Sequence, residues 1–404
     1  MNVECSVCHT QHVLKIQGDY MMNRGDVPIR VGCRNCGIVI QGTIGRSGLS
    51  LKNAVTVKPK GTPIFQDLPT IAISSELPIC KECYFPDRFL VNNILILPQH
   101  LPDTVIHTHS RKMAVVSDGM TEMFDHLKIL HDLKQHGNTK VFDEYTKKHF
   151  NRDENDITDT PDKMRVGFIN LYNQLAFYVR TEAYKNAFVL PYIDKYVKIV
   201  EALSEQQKQD INNAIAPYMV LCNDVDEAIK VLLEFWSKRA CFYPVMLLLG
   251  VNDFKKEYGG ELFLSTTDFE DIKGLYAEMF ELLSRFSMYM VAIENIQQRG
   301  NFELLATNKP LSEYCRLTNG NKHDYIETHS SLKDYCERTL DNKIRNGIDH
   351  AKTKYDAKTQ VITYYPNIKD PNVSHDIALI DFAFIVLQQA VKLSESLCVV
   401  CPFL

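Results

Sequence analysis

Three side chains near the carboxyl end of the chain, Arg345, Asn346 and His350, have types and spacing that suit phosphodiester chemistry. A histidine titrates near neutral pH and can therefore take up or release a proton during a reaction. An arginine keeps its proton and binds phosphate through a planar fork of N–H donors. An asparagine can orient the histidine or contact phosphate. Together these residue types suit proton transfer beside a phosphate group.

An arginine followed by a histidine after four to six intervening residues occurs twice in the chain, and composition alone accounts for roughly one or two such matches. The other match runs from Arg316 to His323 across the letters LTNGNK, which predict a turn. A turn positions side chains less firmly than a helix does, so we interpret this match as accidental. The stretch from Arg345 to His350 has a helical pattern instead.

A helix at this position would place Asn346 and His350 one turn apart on the same face. Arg345 would lie about 140° from His350 around the helix axis, which its long side chain can bridge. Gly347 costs a helix about 1 kcal/mol relative to alanine. We therefore expect Gly347 at a place where another helix approaches closely.

The elements that position the motif lie in the last third of the chain. A long amphipathic helix is predicted from Thr267, with Glu270 completing a capping box, to Gly300. A shorter helix is predicted over the letters KPLSEYCRLT. The next helix is predicted over SSLKDYCERTLDNKIRNGIDHAKTKY. Its apolar residues recur every four positions, namely Leu332, Cys336, Leu340, Ile344 and Ile348.

The chain then continues through a hairpin-like stretch, TQVITYYPNI, into DIALIDFAFIVLQQAVKLSE. The latter is apolar nearly all round and predicts a helix at the centre of a bundle. The sum is a predicted helical bundle of about four helices over residues 261–404, with the motif late in the third helix.

An all-α bundle with Arg-Asn-x-x-x-His late in its third helix resembles the HEPN superfamily. Arg345, Asn346 and His350 match the family motif residue by residue. The hairpin-like insert before the last helix is a variation on the family's bundle. The resemblance implies a metal-independent endoribonuclease that cuts single-stranded RNA, such as unpaired parts of tRNA or mRNA. It also implies a homodimer through the carboxy-terminal bundle, and a setting in bacterial anti-phage defence, abortive infection or toxin systems. A dimer would supply the acid and the base that one histidine cannot supply alone.

Four cysteines at the amino end, Cys5, Cys8, Cys33 and Cys36, form Cys-x2-Cys-x24-Cys-x2-Cys. Two short thiolate turns brought together give the ligands of a tetrahedral zinc site. Four thiolates leave no open position, so we expect a structural zinc in a small β zinc ribbon over residues 1–60. Eight basic and three acidic residues give this segment +5, and four thiolates with one zinc give 5 − 4 + 2 = +3, which suits phosphate.

A second zinc site is a further expectation, built on the pair Cys80 and Cys83. Two more ligands are required, and the chain offers two alternative pairs: His107 with His109, or Cys398 with Cys401. His107 and His109 would point the same way on a strand. The alternative interpretation is that Cys80 and Cys83 form an ordinary turn and that the last pair lies at a buried helix end.

The remaining features bound the class of protein. The chain has 404 residues, of which 24% are charged and 45% hydrophobic, with a net charge of −5. These values are ordinary for a globular protein of several domains. Eight of the 12 cysteines lie in Cys-x-x-Cys pairs, which favours a reducing compartment and a cytoplasmic protein. The longest apolar run, 377–387, is too short to span a bilayer, so no membrane partner is expected.

The predicted organisation is mainly α. It consists of the zinc ribbon, a mixed α/β connector over 61–118, an all-α domain over 119–260 and the bundle. Within the all-α domain, Ser204 and Gln207 predict a capping box, and Asn223 predicts the cap of the following helix.

Three other interpretations stay open at this stage. The motif helix could be a solvated basic face with a surface histidine. The chain could be a zinc-ribbon adaptor that binds nucleic acid or protein and carries a non-catalytic bundle. It could also be a metal-dependent hydrolase that uses His107 and His109.

Overall fold

The protein is described here by a computed structural model, which covers residues 1–16, 26–58, 68–75, 77–80, 121–150, 193–246, 262–333, 340–349, 353–366 and 372–404. These residues are mainly helical with small β-sheets, so the predicted mainly-α class is confirmed. The chain divides into two compact units. The first unit contains Met1–Ser117, Lys238–Gly274 and Asn346–Leu387, and the second contains Asp118–Ser237, Leu275–Arg345 and Gln388–Leu404. The domain boundaries drawn from the sequence stay a prediction.

Two small sheets of the first unit carry the cysteine-rich segment. One has the order β6-β1-β2-β7, with β2 and β7 parallel and the other pairs antiparallel. The other is an antiparallel meander, β3-β4-β5. Their alternating inward residues form one apolar core, as strand periodicity requires. The strands are β1 (Asn2–Cys5), β2 (Gln11–Ile16), β3 (Val27–Gly32), β4 (Val39–Gly45), β5 (Gly48–Lys52), β6 (Ala54–Val57) and β7 (Thr70–Ile73).

Later segments of the chain add to the first unit. These strands are β8 (Ile79–Cys80), β9 (Leu262–Phe263), β10 (Thr353–Asp356), β11 (Val361–Tyr364) and β12 (His375–Ala378). β8 pairs with β9, and β10, β11 and β12 form an antiparallel sheet. The hairpin-like insert therefore folds with the cysteine-rich segment. A Cβ at Gly32 would lie 2.4 Å from the carbonyl oxygen of Ala357, so the backbones are in close contact.

The helices account for most of the described residues. They are α1 (residues 121–135), α2 (Thr139–Phe150), α3 (Ile193–Ala202), α4 (Glu205–Ile215), α5 (Leu221–Ser237), α6 (Tyr243–Met246), α7 (Phe269–Arg299), α8 (Leu311–Cys315), α9 (Asn319–His329), α10 (Asn342–Asp349) and α11 (Leu379–Val400). The predicted capping box of Ser204 and Gln207 is present at the start of α4. The predicted cap at Asn223 is wrong, because α5 begins two residues earlier.

The predicted helix that carries the motif is wrong as a single long element. Leu340 and Asp341 are not helical, and α10 begins at Asn342. The reason is local capping: the Asp341 carboxylate accepts the backbone N–H groups of Lys343 (2.8 Å) and Ile344 (3.4 Å). Arg345 therefore lies in the first turn of a helix of eight residues.

The predicted turn over LTNGNK is also wrong, because α9 begins within it at Asn319. Thr318 has an extended backbone, and its hydroxyl oxygen accepts the N–H of Asn321 at 3.4 Å. A threonine cap of this kind offsets the weak helical propensity of the residues that follow it. Arg316 and His323 consequently lie on two different elements, the carboxyl end of α8 and the second turn of α9.

The two longest helices largely follow the sequence pattern. α7 begins after Asp268, whose carboxylate accepts the N–H of Glu270 (2.9 Å), whereas the predicted cap, Thr267, donates its hydroxyl to the Cys241 carbonyl (2.6 Å). Gly300 ends α7 with a φ of 69°, as predicted. Residues 379–403 form a helix that is long and apolar enough to cross a membrane, but 94% of an apolar 18-residue stretch within it is buried inside the protein, as in a core helix.

Candidate functional site

The four amino-terminal cysteines come together as predicted. The Cys5 and Cys36 sulfurs are 3.8 Å apart, the Cys8 and Cys33 sulfurs are 3.5 Å apart, and all four lie within 4.8 Å of one another. A tetrahedron with Zn–S bonds of about 2.3 Å has S···S edges of about 3.8 Å. The donor set and its spacing therefore fit one tetrahedral zinc ion.

Each Cys-x-x-Cys turn folds in the same way. The N–H of His9 donates to the carbonyl of Cys5, and the N–H of Gly37 donates to the carbonyl of Cys33, both at 2.9 Å. Both donor residues have left-handed backbones, with φ of 57° at His9 and 77° at Gly37. This conformation suits glycine but costs another residue about 1 kcal/mol or more. The turn geometry is therefore imposed on His9 by the surrounding structure.

The cysteines differ in how readily they ionise without a cation. Hydrogen bonding to Thr10 lowers the pKa of Cys8 to about 5. Burial raises the pKa of Cys33 to about 12, because a thiolate is poorly solvated there. A bound divalent cation would reverse that preference by pairing directly with the thiolate. The charge of a metal ion would therefore favour the thiolate form that zinc binding needs.

The sequence reasoning missed His12, which is fully buried in β2. Its Nε2 accepts the backbone N–H of Arg34 at 3.2 Å and lies 3.6 Å from the Cys33 sulfur. The ring therefore contacts and supports the Cys-x-x-Cys turn from Cys33 to Cys36. Strand alternation could have identified it, since His12 and Leu14 share the inward face of β2.

The proposed second zinc site falls mostly outside the described residues. Cys83, His107 and His109 lie outside them, and only the backbone of Cys80 is described, in β8. Cys398 and Cys401 are buried, and burial raises the pKa of Cys398 well above its ordinary value. Within the described part of the chain, no group of three metal-ligating side chains includes this pair.

Arg345 is anchored by a carboxylate that is 64 positions away in the sequence. Its Nη2 and Nε donate to Oε1 of Glu281 at 2.7 and 3.1 Å. The other oxygen of Glu281 accepts from the side-chain amide of Asn319 at 2.6 Å. The guanidinium also lies 6.0 Å from the centre of the Phe280 ring. These contacts fix the direction of the fork, while the Arg345 side chain stays 28% exposed.

The other two motif residues are only partly described. Asn346 is half-buried on α10, directly after Arg345. His350 lies outside the described residues, so its predicted position on the face of Asn346 stays a prediction. Sequence reasoning missed Glu281 and Asn319, because no local pattern links α7 or α9 to the motif.

Gly347 is buried, and its close neighbour is a strand. A Cβ at Gly347 would lie 2.8 Å from the Cβ of Tyr364 in β11. The expectation that another helix approaches here is therefore wrong: the hairpin-like insert makes the approach. Tyr364 in turn stacks on His375 of β12, with ring centres 5.6 Å apart.

Replacing Gly347 by alanine is expected to lower the free energy of unfolding by about 1–3 kcal/mol, because the added methyl meets the fixed Cβ of Tyr364. The matched control is Gly274→Ala, in the interior of α7, where an added Cβ has nothing within 4 Å. The control should raise stability by up to about 1 kcal/mol. Denaturant unfolding of both variants measures the difference, and a Gly347→Ala protein as stable as Gly274→Ala would contradict the close packing.

Among the described residues, the predicted site residues lie in the four-cysteine cluster and in the neighbourhood of Arg345. Arg316 and His323 lie on different elements: Arg316 is exposed, and His323 lies 3.6 Å from the carboxylate of Glu327 on its own helix, where His323, Asp324 and Glu327 are close enough together to hold a metal ion. No family model, no curated protein and no solved structure matches the chain. A functional assignment therefore depends on these side chains.

Proposed function

We propose that the protein is a metal-independent endoribonuclease of the HEPN type that cleaves single-stranded RNA. The observation that carries the proposal is that Glu281 holds the guanidinium of Arg345 in place. Arg345 lies on α10, directly before Asn346. A partly exposed arginine fork with a fixed direction is suited to the negative charge that develops on a phosphorane. His350 follows in the sequence at the spacing of the HEPN motif.

Each motif residue has a distinct part in the proposed reaction. His350 takes the proton of the substrate 2′-hydroxyl, whose oxygen then attacks the adjacent phosphorus. The bond from phosphorus to the 5′-oxygen breaks, and that oxygen gains a proton from an acid. Arg345 stabilises the charge of the transition state, and Asn346 orients His350 or contacts phosphate. The products carry 2′,3′-cyclic phosphate and 5′-hydroxyl ends.

Unpaired regions of tRNA or mRNA are the proposed substrates. Their phosphates can adopt the in-line geometry that a stacked duplex forbids, and proteins read RNA mostly at unpaired bases. The proposed setting is a cytoplasmic bacterial defence, abortive-infection or toxin system, in which RNA cleavage stops growth. This setting depends on the family resemblance alone.

A homodimer is part of the proposal, because one histidine per site cannot serve easily as acid and base. Gly347 is no argument for the dimer, because the residue that requires a glycine there is Tyr364 of the same chain. The need for two proton-transfer groups is the remaining argument. Sedimentation of the purified protein should give twice the chain mass, and full-rate cleavage by a strict monomer would contradict it.

We also propose that Cys5, Cys8, Cys33 and Cys36 bind one structural zinc ion. The four thiolates would fill all four coordination positions of the ion, which would take no part in RNA cleavage. The zinc ion would hold the two Cys-x-x-Cys turns together and so stabilise the first unit. A second zinc at Cys80 and Cys83 stays a proposal, with either His107 and His109 or Cys398 and Cys401 as further ligands.

Purified protein incubated with labelled tRNA and mRNA should yield fragments with 2′,3′-cyclic phosphate ends, both with and without EDTA in short assays. Insensitivity to the chelator is expected because no metal takes part in the proposed chemistry. Fragments with 3′-hydroxyl ends, or cleavage that stops at once with EDTA, would favour the metal-dependent hydrolase instead.

The second candidate is a zinc-ribbon adaptor with a non-catalytic bundle. The observation that favours it is the pairing of Arg345 with Glu281, because the same contact would serve a purely structural arginine. Induced expression in a bacterium distinguishes the two. A nuclease should degrade cellular RNA and arrest growth only when His350 is present. An adaptor should have the same effect on growth and on RNA integrity in wild type and in His350→Ala.

A further inference from the structure

Lys322 is a buried cation beside the Arg345 anchor. It lies on α9, and only 6% of the residue is exposed. Asn319, three positions earlier, donates to the Glu281 carboxylate that also holds Arg345. Residues three apart on a helix share a face, so Asn319 and Lys322 point to the same side. Lys322 therefore lies near the Glu281 carboxylate that holds Arg345, and the charge of Glu281 acts on it.

Glu281, the carboxylate whose charge acts on Lys322, is already engaged by other groups. It accepts hydrogen bonds from Arg345 and Asn319. Lys322 itself makes no ion pair and no hydrogen bond through its ammonium group to any residue that the structure describes. Burial is the main cause that lowers its pKa, and Arg285 adds to the effect, while Cys315 and Glu281 oppose it.

The side chain of Lys322 is largely buried, and a lysine in such surroundings without an ion-pair partner is stabilised by an anion that reaches its ammonium group. Because Arg345 faces the same carboxylate, that anion would sit next to the one that Arg345 binds. Successive phosphates of a nucleic-acid strand provide two anions at a fixed, short separation. A single small anion would not need two cationic positions.

We propose that Lys322 binds a phosphate of the RNA backbone, next to the phosphate that Arg345 contacts. The inference rests on the proposed function, since it deepens the account of how that site holds single-stranded RNA. Lys322 is in this account a substrate-binding residue, and Arg345 remains the catalytic cation. The sequence contains no local signal for it, because Lys322 follows the supposed turn LTNGN and becomes buried only when α9 packs.

The test measures the binding of a single-stranded 2′-O-methyl RNA, which lacks the nucleophile and cannot be cleaved. Wild type, Lys322→Met, Lys322→Arg and Lys309→Met are compared over a range of salt concentrations. Methionine keeps the apolar stem of the side chain without its charge. Lys309 is the matched control, an exposed lysine that is paired with Glu313 at 2.8 Å.

Lys322→Met should weaken binding roughly tenfold or more. It should also make the slope of log Kd against log salt shallower by about 0.7, the value for one phosphate contact on a single strand. Lys322→Arg and Lys309→Met should keep the wild-type slope. Thermal unfolding of Lys322→Met should show a folded protein, since removing an unpaired buried charge does not destabilise the fold.

Equal affinity and equal slope for wild type and Lys322→Met would overturn the inference and leave the proposed nuclease function intact. No binding by wild type would overturn both. Inorganic phosphate, added at constant ionic strength, tests whether a free anion is the ligand of Lys322. The RNA backbone is not the ligand if two results occur together: phosphate changes RNA binding by wild type but not by Lys322→Met, and the two proteins have the same salt slope.

Discussion

The Arg345→Ala variant is expected to cleave RNA roughly a hundredfold to a thousandfold more slowly than wild type, because the charge on the phosphorane loses its fixed donor. Arg345→Lys should restore only part of the rate, since a point charge does not replace a planar fork. Initial rates on one labelled tRNA measure both variants. The matched control is Arg316→Ala, which removes the exposed arginine of the accidental match and should leave the rate unchanged.

Two results would contradict this account of Arg345. One is an Arg345→Ala protein that is folded and cleaves at the wild-type rate, which would make the ion pair with Glu281 purely structural. The other is an equal loss in Arg316→Ala, which would show a non-specific effect of charge. Thermal unfolding of each variant separates a loss of rate from a loss of fold.

The double variant Cys33→Ser with Cys36→Ser is expected to lose its zinc and to unfold the first unit at a lower temperature. Zinc bound by four thiolates contributes apparent free energies of about 10–16 kcal/mol in small zinc modules, which is a large share of folding stability. Metal analysis of the wild type should give one zinc per chain, or two if the second site exists.

Cys222→Ser is the matched control for the zinc prediction, because Cys222 is exposed and lies outside the cluster. Its zinc content and unfolding temperature should equal those of the wild type. Purified wild type without zinc, or a double variant with unchanged zinc, would refute the structural site. The loss of zinc should leave the chelator-insensitive chemistry of RNA cleavage unaltered as long as the chain stays folded.

The cysteine cluster could be predicted because its geometry is largely local. Each pair is closed by a tight turn, and both turns use the same backbone hydrogen bonds, so spacing alone indicates them. His12 could have been added from strand alternation. The pairing of the hairpin-like insert with this segment could not be predicted, because it joins Gly32 to Ala357 across 325 positions of sequence.

The motif helix shows where periodic patterns fail. Apolar residues every four positions predicted one long helix, but Asp341 offers its carboxylate to two N–H groups and starts a new helix there. A short polar side chain competes with helix continuation in this way, and periodicity does not reveal it. The same local capping by Thr318 produces α9 where glycine and asparagine predicted a turn.

The anchor of Arg345 could not be read from the sequence for a different reason. Glu281 and Asn319 reach it only through packing of α7, α9 and α10, and no spacing rule connects these helices. The chemistry of the motif could be predicted from residue types, whereas the residues that hold it in place could not.

One measurement tests the central claim most directly: the ratio of cleavage rates of wild type and His350→Ala on the same labelled tRNA, in the presence of EDTA. The proposed mechanism predicts a drop of roughly a hundredfold to ten-thousandfold in His350→Ala, because proton transfer from the 2′-hydroxyl is lost. Equal rates for the two proteins, with both folded, would contradict a nuclease built on Arg345 and His350.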